Sequence, residues 1–143
     1  GVKMRTALAS IVEVGDFCRF EKGSTYAAYL GLTPGESSSG DTVRRGGLSK
    51  AGNAHLRTLY IEAAQGICKG RIGHKSKELK ARQAGSSQEV IAYADQANER
   101  LRRKYCRLTH REKKRNVAVA AIARELACFI WGLMTNHTER RVA

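Results

Sequence analysis

Proline is almost absent from this chain of 143 residues, because Pro34 is the only one. Proline lacks a backbone N–H and interrupts helices and central strands, so its scarcity permits long uninterrupted elements. Apolar residues recur with a 3.6-residue period through much of the sequence, which is the period of an amphipathic helix. The sequence therefore predicts an all-α fold in one domain, residues 1–143, which is long enough to bury a core.

Closely spaced metal ligands are also lacking. The four cysteines and four histidines are scattered, and no C-x-x-C pair occurs. Structural zinc sites usually need such pairs, so we predict neither a metal site nor another cofactor in this chain. No segment resembles a signal peptide or a membrane anchor, since the most apolar run, 117–134, contains Arg124 and Glu125. We expect a cytoplasmic protein with reduced thiols and no membrane association.

Acidic residues are scarce relative to basic ones, with 13 Asp and Glu against 26 Lys and Arg, a net charge of +13. Residues 71–115 hold fourteen of the cations and only five of the anions. A solvated helix face explains part of this excess, but such faces normally mix the two signs. A field of this sign attracts nucleic acid, so we predict binding through Arg100, Arg103, Lys104 and Arg107.

The first part of the chain, residues 1–34, predicts two helices joined by a tight turn. The first helix spans about residues 3–14 and shows Leu8, Ile11 and Val12 on its apolar face. Gly15 breaks it, and a shorter helix follows Ser24 as a candidate N-cap. This order resembles a helix-hairpin-helix, which grips a DNA backbone through amides at a helix start. A plain helical hairpin fits the same pattern.

The helical core is predicted from residue 53 to residue 143. One clean stripe follows Asn53: Leu56, Leu59, Tyr60, Ala63, Ala64 and Ile67. Ser87 can cap a long helix over about 88–109, with a buried stripe of Ile91, Ala94, Ala97, Leu101, Tyr105 and Leu108. Asn116 can cap a last helix to about residue 136, which is apolar almost all round and should be the most buried. We expect the two long helices to form an antiparallel pair.

Between these parts lies a glycine- and serine-rich segment, residues 35–52, with no periodic apolar pattern, so it predicts a long exposed loop. Its end, "RRGGLSKAGN", places Ser49 among glycines and cations directly before a helix. Such an arrangement can hold a phosphate, present a nucleophile, or simply cap a helix. A Walker phosphate loop is excluded because no Gly-Lys-Ser/Thr occurs, and the G-x-S-x-G elbow of hydrolases is absent as well.

The remaining catalytic reading is a serine that attacks a phosphodiester, with Ser49 as the nucleophile. Close approach of the strand would use Gly46, Gly47 and Gly52, and the amides at the helix start near Asn53 would add to the field. Positive charge would come from Arg44, Arg45, Lys50 and Arg57. A serine hydroxyl still needs a base or a metal ion, and no carboxylate cluster is visible here. Helix capping alone remains the competing explanation.

Four blocks of the sequence resemble one known family in the right order and over almost the entire chain. The blocks are "IVEVGDFCRF", "AAYLGLTPGESSSGDTVRRGGLSKAGNAHLRTLYIEAA", "LKARQAG" and "NVAVAAIARELACFIWGL". They are similar to the C-terminal domain of bacterial insertion-sequence transposases of the one-ten/one-sixteen/nine-oh-two group. The second block is the most specific.

The resemblance implies an activity that the residues alone do not. Members carry an N-terminal RuvC-like domain whose acidic residues hold Mg²⁺, and the serine of the glycine-rich block becomes joined to a DNA phosphate. Ser49 would be that nucleophile, in a centre assembled between protomers of a homo-oligomer. DNA would be the partner, together with a structured guide RNA. By itself this chain would fold and bind nucleic acid, but it would not cleave or join DNA.

Two readings from other classes stay open. One is a non-catalytic module that binds nucleic acid for a partner protein. The other is a helical dimerisation domain whose charge only maintains solubility. A dimerisation domain should show no salt-sensitive binding to nucleic acid, whereas the other two hypotheses predict such binding. A non-catalytic binding module should tolerate the loss of the Ser49 hydroxyl, whereas the nucleophile hypothesis predicts that it does not.

Overall fold

The computed structural model describes residues 1–39 and 42–138, with only the backbone of 36–39 and 42–45. Its elements are α1 (Met4–Val14), a 3₁₀ turn (Phe17–Arg19), α2 (Gly23–Tyr29), β1 (Pro34–Ser39), β2 (Thr42–Leu48), α3 (Ala54–Cys68), α4 (Lys77–Gln83), α5 (Gln88–His110) and α6 (Arg115–Met134). Helices dominate, which confirms the all-α prediction.

The last helix, α6, lies at the centre and packs on α2, α3 and α5. The predicted antiparallel arrangement of α5 and α6 is confirmed by its cross-contacts. Near the start of α5 the Tyr93 hydroxyl donates to the carbonyl oxygen of Phe129 at 3.0 Å. Further along α5, Lys104 meets Glu125, which lies earlier on α6. Position along one helix therefore rises as position along the other falls.

The stripe predicted for α3 is buried in full: Leu56, Leu59, Tyr60, Ala63, Ala64 and Ile67 are all at most 3% exposed. The α5 prediction is only partly confirmed. Ala97 and Leu101 are buried, whereas Ile91, Ala94, Tyr105 and Leu108 are half-buried. Sequence reasoning also missed Tyr93, which is buried against Phe129 with the ring planes nearly perpendicular.

The predicted apolar face of α1 is wrong. Leu8, Ile11 and Val12 are 54%, 52% and 77% exposed. The side of α1 that packs on α3 carries small polar residues instead, and Ser10 lies 3.2 Å from the Tyr60 hydroxyl. A buried tyrosine hydroxyl needs a hydrogen-bonding partner, so polar residues occupy the inner face.

The segment predicted as a long loop forms a β-hairpin. Strands β1 and β2 pair antiparallel, from Pro34 opposite Leu48 to Ser39 opposite Thr42, with an irregularity between Pro34 and Glu36. This pairing is made by backbone hydrogen bonds, which do not require apolar and polar residues to alternate along the strands. The usual strand signal is that alternation, so sequence reasoning missed the hairpin.

Helix starts were predicted with mixed success. Asn53 and Ser87 cap α3 and α5 as predicted, accepting hydrogen bonds from the amides of Leu56 and Val90. Ser24 and Asn116 are not N-caps, because both lie inside helices that begin one residue earlier, α2 after Lys22 and α6 after Lys114.

The predicted helix-hairpin-helix pairing is not reproduced. In the described part of the chain α1 packs mainly on α3, and α2 packs mainly on α6. The two helices are therefore not each other's main partners.

By length and composition α6 could cross a membrane, with a mean hydropathy of 1.8 over its most apolar window. Half of that window is buried inside the protein, against the helices that surround it. Core helices pass the same test of length and composition, so α6 needs no membrane to explain its apolar surface.

Candidate nucleic-acid interface

Ser49 lies at the base of the hairpin, one residue after β2. Its amide donates to the carbonyl oxygen of Thr33 at 2.9 Å, which holds the backbone in place beyond the last strand pair. The Ser49 side chain is exposed, and its hydroxyl forms no hydrogen bond with any of the described residues. A polymer in solvent can therefore reach Oγ.

The backbone after Ser49 has an unusual conformation. Lys50 has φ 54° and Gly52 has φ 100°. A side chain at position 52 would place Cβ only 2.0 Å from the carbonyl oxygen of Tyr29, so only glycine fits there. The amide of Asn53 then donates to that same oxygen at 3.0 Å. Left-handed backbone at a non-glycine residue is uncommon and tends to cluster at functional sites.

Arg57 fastens this turn from the first part of α3. Its Nη1 donates to the carbonyl oxygen of Lys50 at 3.1 Å and to that of Leu30 at 3.3 Å. The guanidinium therefore joins the strained turn to the end of α2. The structure gives Arg57 a scaffolding contact that the sequence did not reveal, and its contact with nucleic acid stays a prediction.

A carboxylate from α1 braces the same helix start. Glu13 Oε2 accepts from Asn53 Nδ2 at 2.7 Å, and Glu13 Oε1 lies 2.5 Å from His55 Nδ1. The hydrogen bonds from Asn53 and then His55 hold the Glu13 pKa below its ordinary value. Sequence reasoning missed Glu13 and His55, because forty or more positions separate Glu13 from its partners and no local pattern links them.

The predicted cations of α5 line one groove of about 510 Å³, named here the α5 groove: Gln96, Glu99, Arg100, Arg103, Lys104, Arg107 and Glu125. Glu125 accepts from both Arg100 and Lys104 at 2.5 Å. Burial alone would raise the Glu125 pKa, but these two cations bring it below its ordinary value.

Two other cations of the α5 groove differ in their partners. Arg103 pairs with Glu99 at 2.8 Å within the helix. Arg107 has no ion pair with a described carboxylate, so its full charge faces the solvent.

A second groove, of about 410 Å³, lies between the hairpin base and α6 and is named the α6 groove. It is lined by Leu32, Pro34, Gly46, Gly47, Leu48, Lys104, Asn116, Val117, Ala120, Ala121 and Arg124. Lys104 lines both grooves, so the predicted α5 cations and the predicted glycines lie side by side. Sequence reasoning missed these roles, since it interpreted Arg124 and Val117 only as parts of a buried helix and Asn116 only as its N-cap.

Two predicted cations are placed only by their backbone. Arg44 and Arg45 lie in β2 opposite Ser37 and Glu36. Their side chains fall outside the described residues, so their contact with phosphate stays a prediction.

Metal chemistry does not fit the carboxylates placed here. In residues 1–39 and 42–138 no three His, Cys, Asp or Glu side chains come together in a way that could hold a metal ion. Glu13, Asp95, Glu99 and Glu125 each bind cations or amides in separate places.

The sequence model of the Transposase IS116/IS110/IS902 family matches residues 1–84, more than half of the chain. The chain belongs to this family. The matched region contains α1 to α3, the hairpin, Ser49 and the Glu13–Asn53 contact. Helices α5 and α6, which contribute the two grooves, lie beyond the matched residues.

Relatives support the same assignment. The Sinorhizobium fredii protein y4qE, named as a transposase, is 42% identical over 134 residues, which is 93% of this chain and 34% of the relative. The transposase for insertion sequence element IS1111A of Coxiella burnetii is 36% identical over 100 residues, 66% of this chain and 28% of the relative. The chain thus spans about a third of the length of these relatives. No solved structure matches it.

Proposed function

We propose that this chain is the DNA-binding and nucleophile-bearing part of an insertion-sequence transposase. The observation that carries the proposal is the position of Ser49, which is exposed directly before a strained turn and next to Leu48, a residue that lines a groove with cations on its walls. Helix capping does not account for that position. Asn53 is the residue that caps α3, so Ser49 is left without a capping role.

In the proposed reaction Ser49 Oγ attacks a DNA phosphorus, and an Oγ–phosphorus bond forms. The bond from phosphorus to the leaving sugar oxygen breaks, and that oxygen takes up a proton to become a hydroxyl. The serine proton passes to water or to a base outside the described residues. Lys50 is exposed beside Ser49, and its charge would stabilise the negative oxygens of the transition state.

The family resemblance adds further parts to this proposal. Magnesium would be held by acidic residues of another domain, in a homo-oligomer, and a structured RNA would direct the protein to its DNA. We also propose a cytoplasmic location. The isolated chain would then bind nucleic acid without cleaving it.

The test uses the longer protein that contains this chain. Incubation with DNA of the element's ends should give a covalent protein–DNA adduct, seen as a band that resists denaturant. Ser49→Ala should abolish the adduct while DNA binding and the melting temperature stay unchanged. Ser86→Ala is the matched control, because Ser86 is also exposed but lies before α5, and it should leave the yield unchanged.

An adduct that persists in Ser49→Ala would place the nucleophile elsewhere. The chain would then be better explained as a non-catalytic module that binds nucleic acid, which is the second candidate. The α5 groove, with its exposed Arg107, is the observation that favours that candidate.

A further inference from the structure

We propose that the α6 groove is a binding subsite for one nucleotide of a DNA single strand, the nucleotide next to the phosphate that Ser49 attacks. This inference rests on the proposed function and assigns the groove a ligand. It also assigns a DNA contact to Arg124, which sequence reasoning missed.

The first support is position. Leu48 lines the groove, and Ser49 is the next residue, so their Cα atoms are about 3.8 Å apart. The amide of Ser49 is fixed to Thr33, and Leu32 and Pro34 on either side of Thr33 also line the groove. A strand whose phosphate reaches Ser49 therefore has its neighbouring nucleotide at the mouth of the groove.

The second support is the floor of the groove. Val117 on α6 is 56% exposed, although it lies in the most apolar helix of the protein. Ala120 and Ala121 are half-buried beside it, and their small side chains let a ligand approach the helix closely. Aliphatic side chains of this kind contact a sugar face or a thymine methyl group.

The third support is the charge at the rim. Arg124 is exposed at one end and has no ion pair with a described carboxylate. Lys104 lies on the wall shared with the α5 groove, although Glu125 partly neutralises it. Lys114 and Arg115 do not line the groove, but they are exposed and directly precede Asn116, which does, at the start of α6 where the helix dipole also favours an anion. The phosphates on both sides of a bound nucleotide would thus meet positive charge.

The shape favours a single strand over a duplex. A volume of about 410 Å³ falls in the range of pockets that enclose one small ligand. A duplex is usually read by a helix that protrudes into its major groove. Here the hairpin base flanks the open face of α6, so the surface is concave and suits one nucleotide.

The experiment measures binding of a fluorescent single-stranded DNA to the 143-residue chain by anisotropy at several salt concentrations. Arg124→Ala should weaken binding about tenfold and lower the salt slope by about 0.7, the value for one phosphate contact on a single strand. The charge-matched control is Arg5→Ala, an exposed cation on α1, which should change binding less than about twofold.

A second variant fills the groove without changing the charge. Ala120→Leu should weaken binding about fivefold, since the added side chain occupies the place of the nucleotide. Its control is Ala81→Leu, at an exposed alanine of α4, which should leave binding unchanged. Far-UV circular dichroism checks that both variants keep the fold. If Ala120→Leu does not fold, the result for Arg124→Ala alone tests the subsite.

Binding within twofold of wild type in both Arg124→Ala and Ala120→Leu would overturn the subsite. The same variants can be tested with a duplex or an RNA of the same sequence. If the substitutions weaken binding of either one more than they weaken binding of single-stranded DNA, the choice of occupant is overturned. The Ser49→Ala adduct test separates the two proposals. Loss of the adduct with normal binding by both groove variants leaves the proposed function standing and removes the subsite. A surviving adduct with weakened binding removes Ser49 as the nucleophile and leaves the groove as a nucleotide site without its assigned place beside the attacked phosphate.

Discussion

Asn53 holds Glu13 and the start of α3 at the same time. Its Nδ2 donates to Glu13 Oε2 at 2.7 Å, while its Oδ1 accepts from the amide of Leu56 at 2.9 Å. The carboxylate of α1 therefore sets which way the Asn53 amide group faces. The residues that carry the proposed nucleophile depend on a helix far away in the sequence.

This contact predicts a pH-dependent loss of stability in Glu13→Gln. The Glu13 pKa lies below its ordinary value of 4.5 in the folded protein, so its stabilisation is present above that value. It is lost as the pH falls through the lowered folded pKa. The variant should melt at a lower temperature than wild type at pH 7, and the difference should shrink in acid.

Thermal melts between pH 7 and pH 3 make the measurement. Glu21→Gln is the control, because Glu21 is exposed and has no ion pair with a described residue. A difference in melting temperature for Glu13→Gln that stays constant with pH would contradict the prediction.

The same substitution should have different effects at Gly52, in the strained turn after Ser49, and at Gly47, in strand β2 before it. Gly52→Ala combines φ 100° with a Cβ at 2.0 Å from the Tyr29 carbonyl oxygen, and should cost about 3 kcal/mol or more of unfolding free energy. Gly47→Ala has no atom within 4 Å of the new Cβ and should change it by at most about 0.5 kcal/mol. Urea denaturation measures both, and equal losses would show that the turn is not strained as described.

The Arg57 contacts predict a loss that lysine cannot fully repair. Arg57→Ala should lower the unfolding free energy by about 1–2 kcal/mol, since the carbonyl groups of Leu30 and Lys50 lose a charged donor. Arg57→Lys should recover only part, because an ammonium lacks the planar fork of donors. Chemical denaturation measures the change. Lys69→Ala, at an exposed cation just after α3, is the control and should be near neutral.

The contacts of Glu125 predict that its substitution raises the affinity for DNA and lowers the stability of the fold. Glu125→Gln releases Arg100 and Lys104 toward the α5 groove, so DNA should bind more tightly and with a steeper salt dependence. The unfolding free energy should fall by about 1–3 kcal/mol, because Arg100 and Lys104 lose a carboxylate whose side chain is only 13% exposed. The Glu125 pKa is lowered in the fold, so this stabilisation is present at neutral pH and lost in acid.

Glu99→Gln is the matched control for that variant. It changes the net charge equally but frees only one cation, Arg103, from a pair within one helix, and its other contact is a hydrogen bond from the Gly73 amide. Its gain in affinity should therefore be smaller. Equal gains in the two variants would show that the loss of one negative charge, and not the release of two cations from Glu125, sets the affinity.

Local and periodic features of this protein could be read from the sequence. The α3 stripe from Leu56 to Ile67 is buried as predicted, since a helix that packs on one side repeats its apolar residues every 3.6 positions. The Asn53 and Ser87 caps are also as predicted, because a cap acts only on amides two or three residues away. Ser49, which the sequence singled out, is exposed.

Other features depended on partners that are distant in the chain. The inner face of α1 is set by the Tyr60 hydroxyl, fifty residues after Ser10. The hairpin rests on backbone hydrogen bonds, which leave no trace in residue types.

By itself, then, the sequence determined most of the helices, the Asn53 and Ser87 caps and the charged, glycine-rich surroundings of Ser49, since each depends on neighbours within about one helical turn. Only the tertiary structure decided that Glu13 braces Asn53 and that Arg124 and Gly47 line one groove, because packing alone brings such residues together.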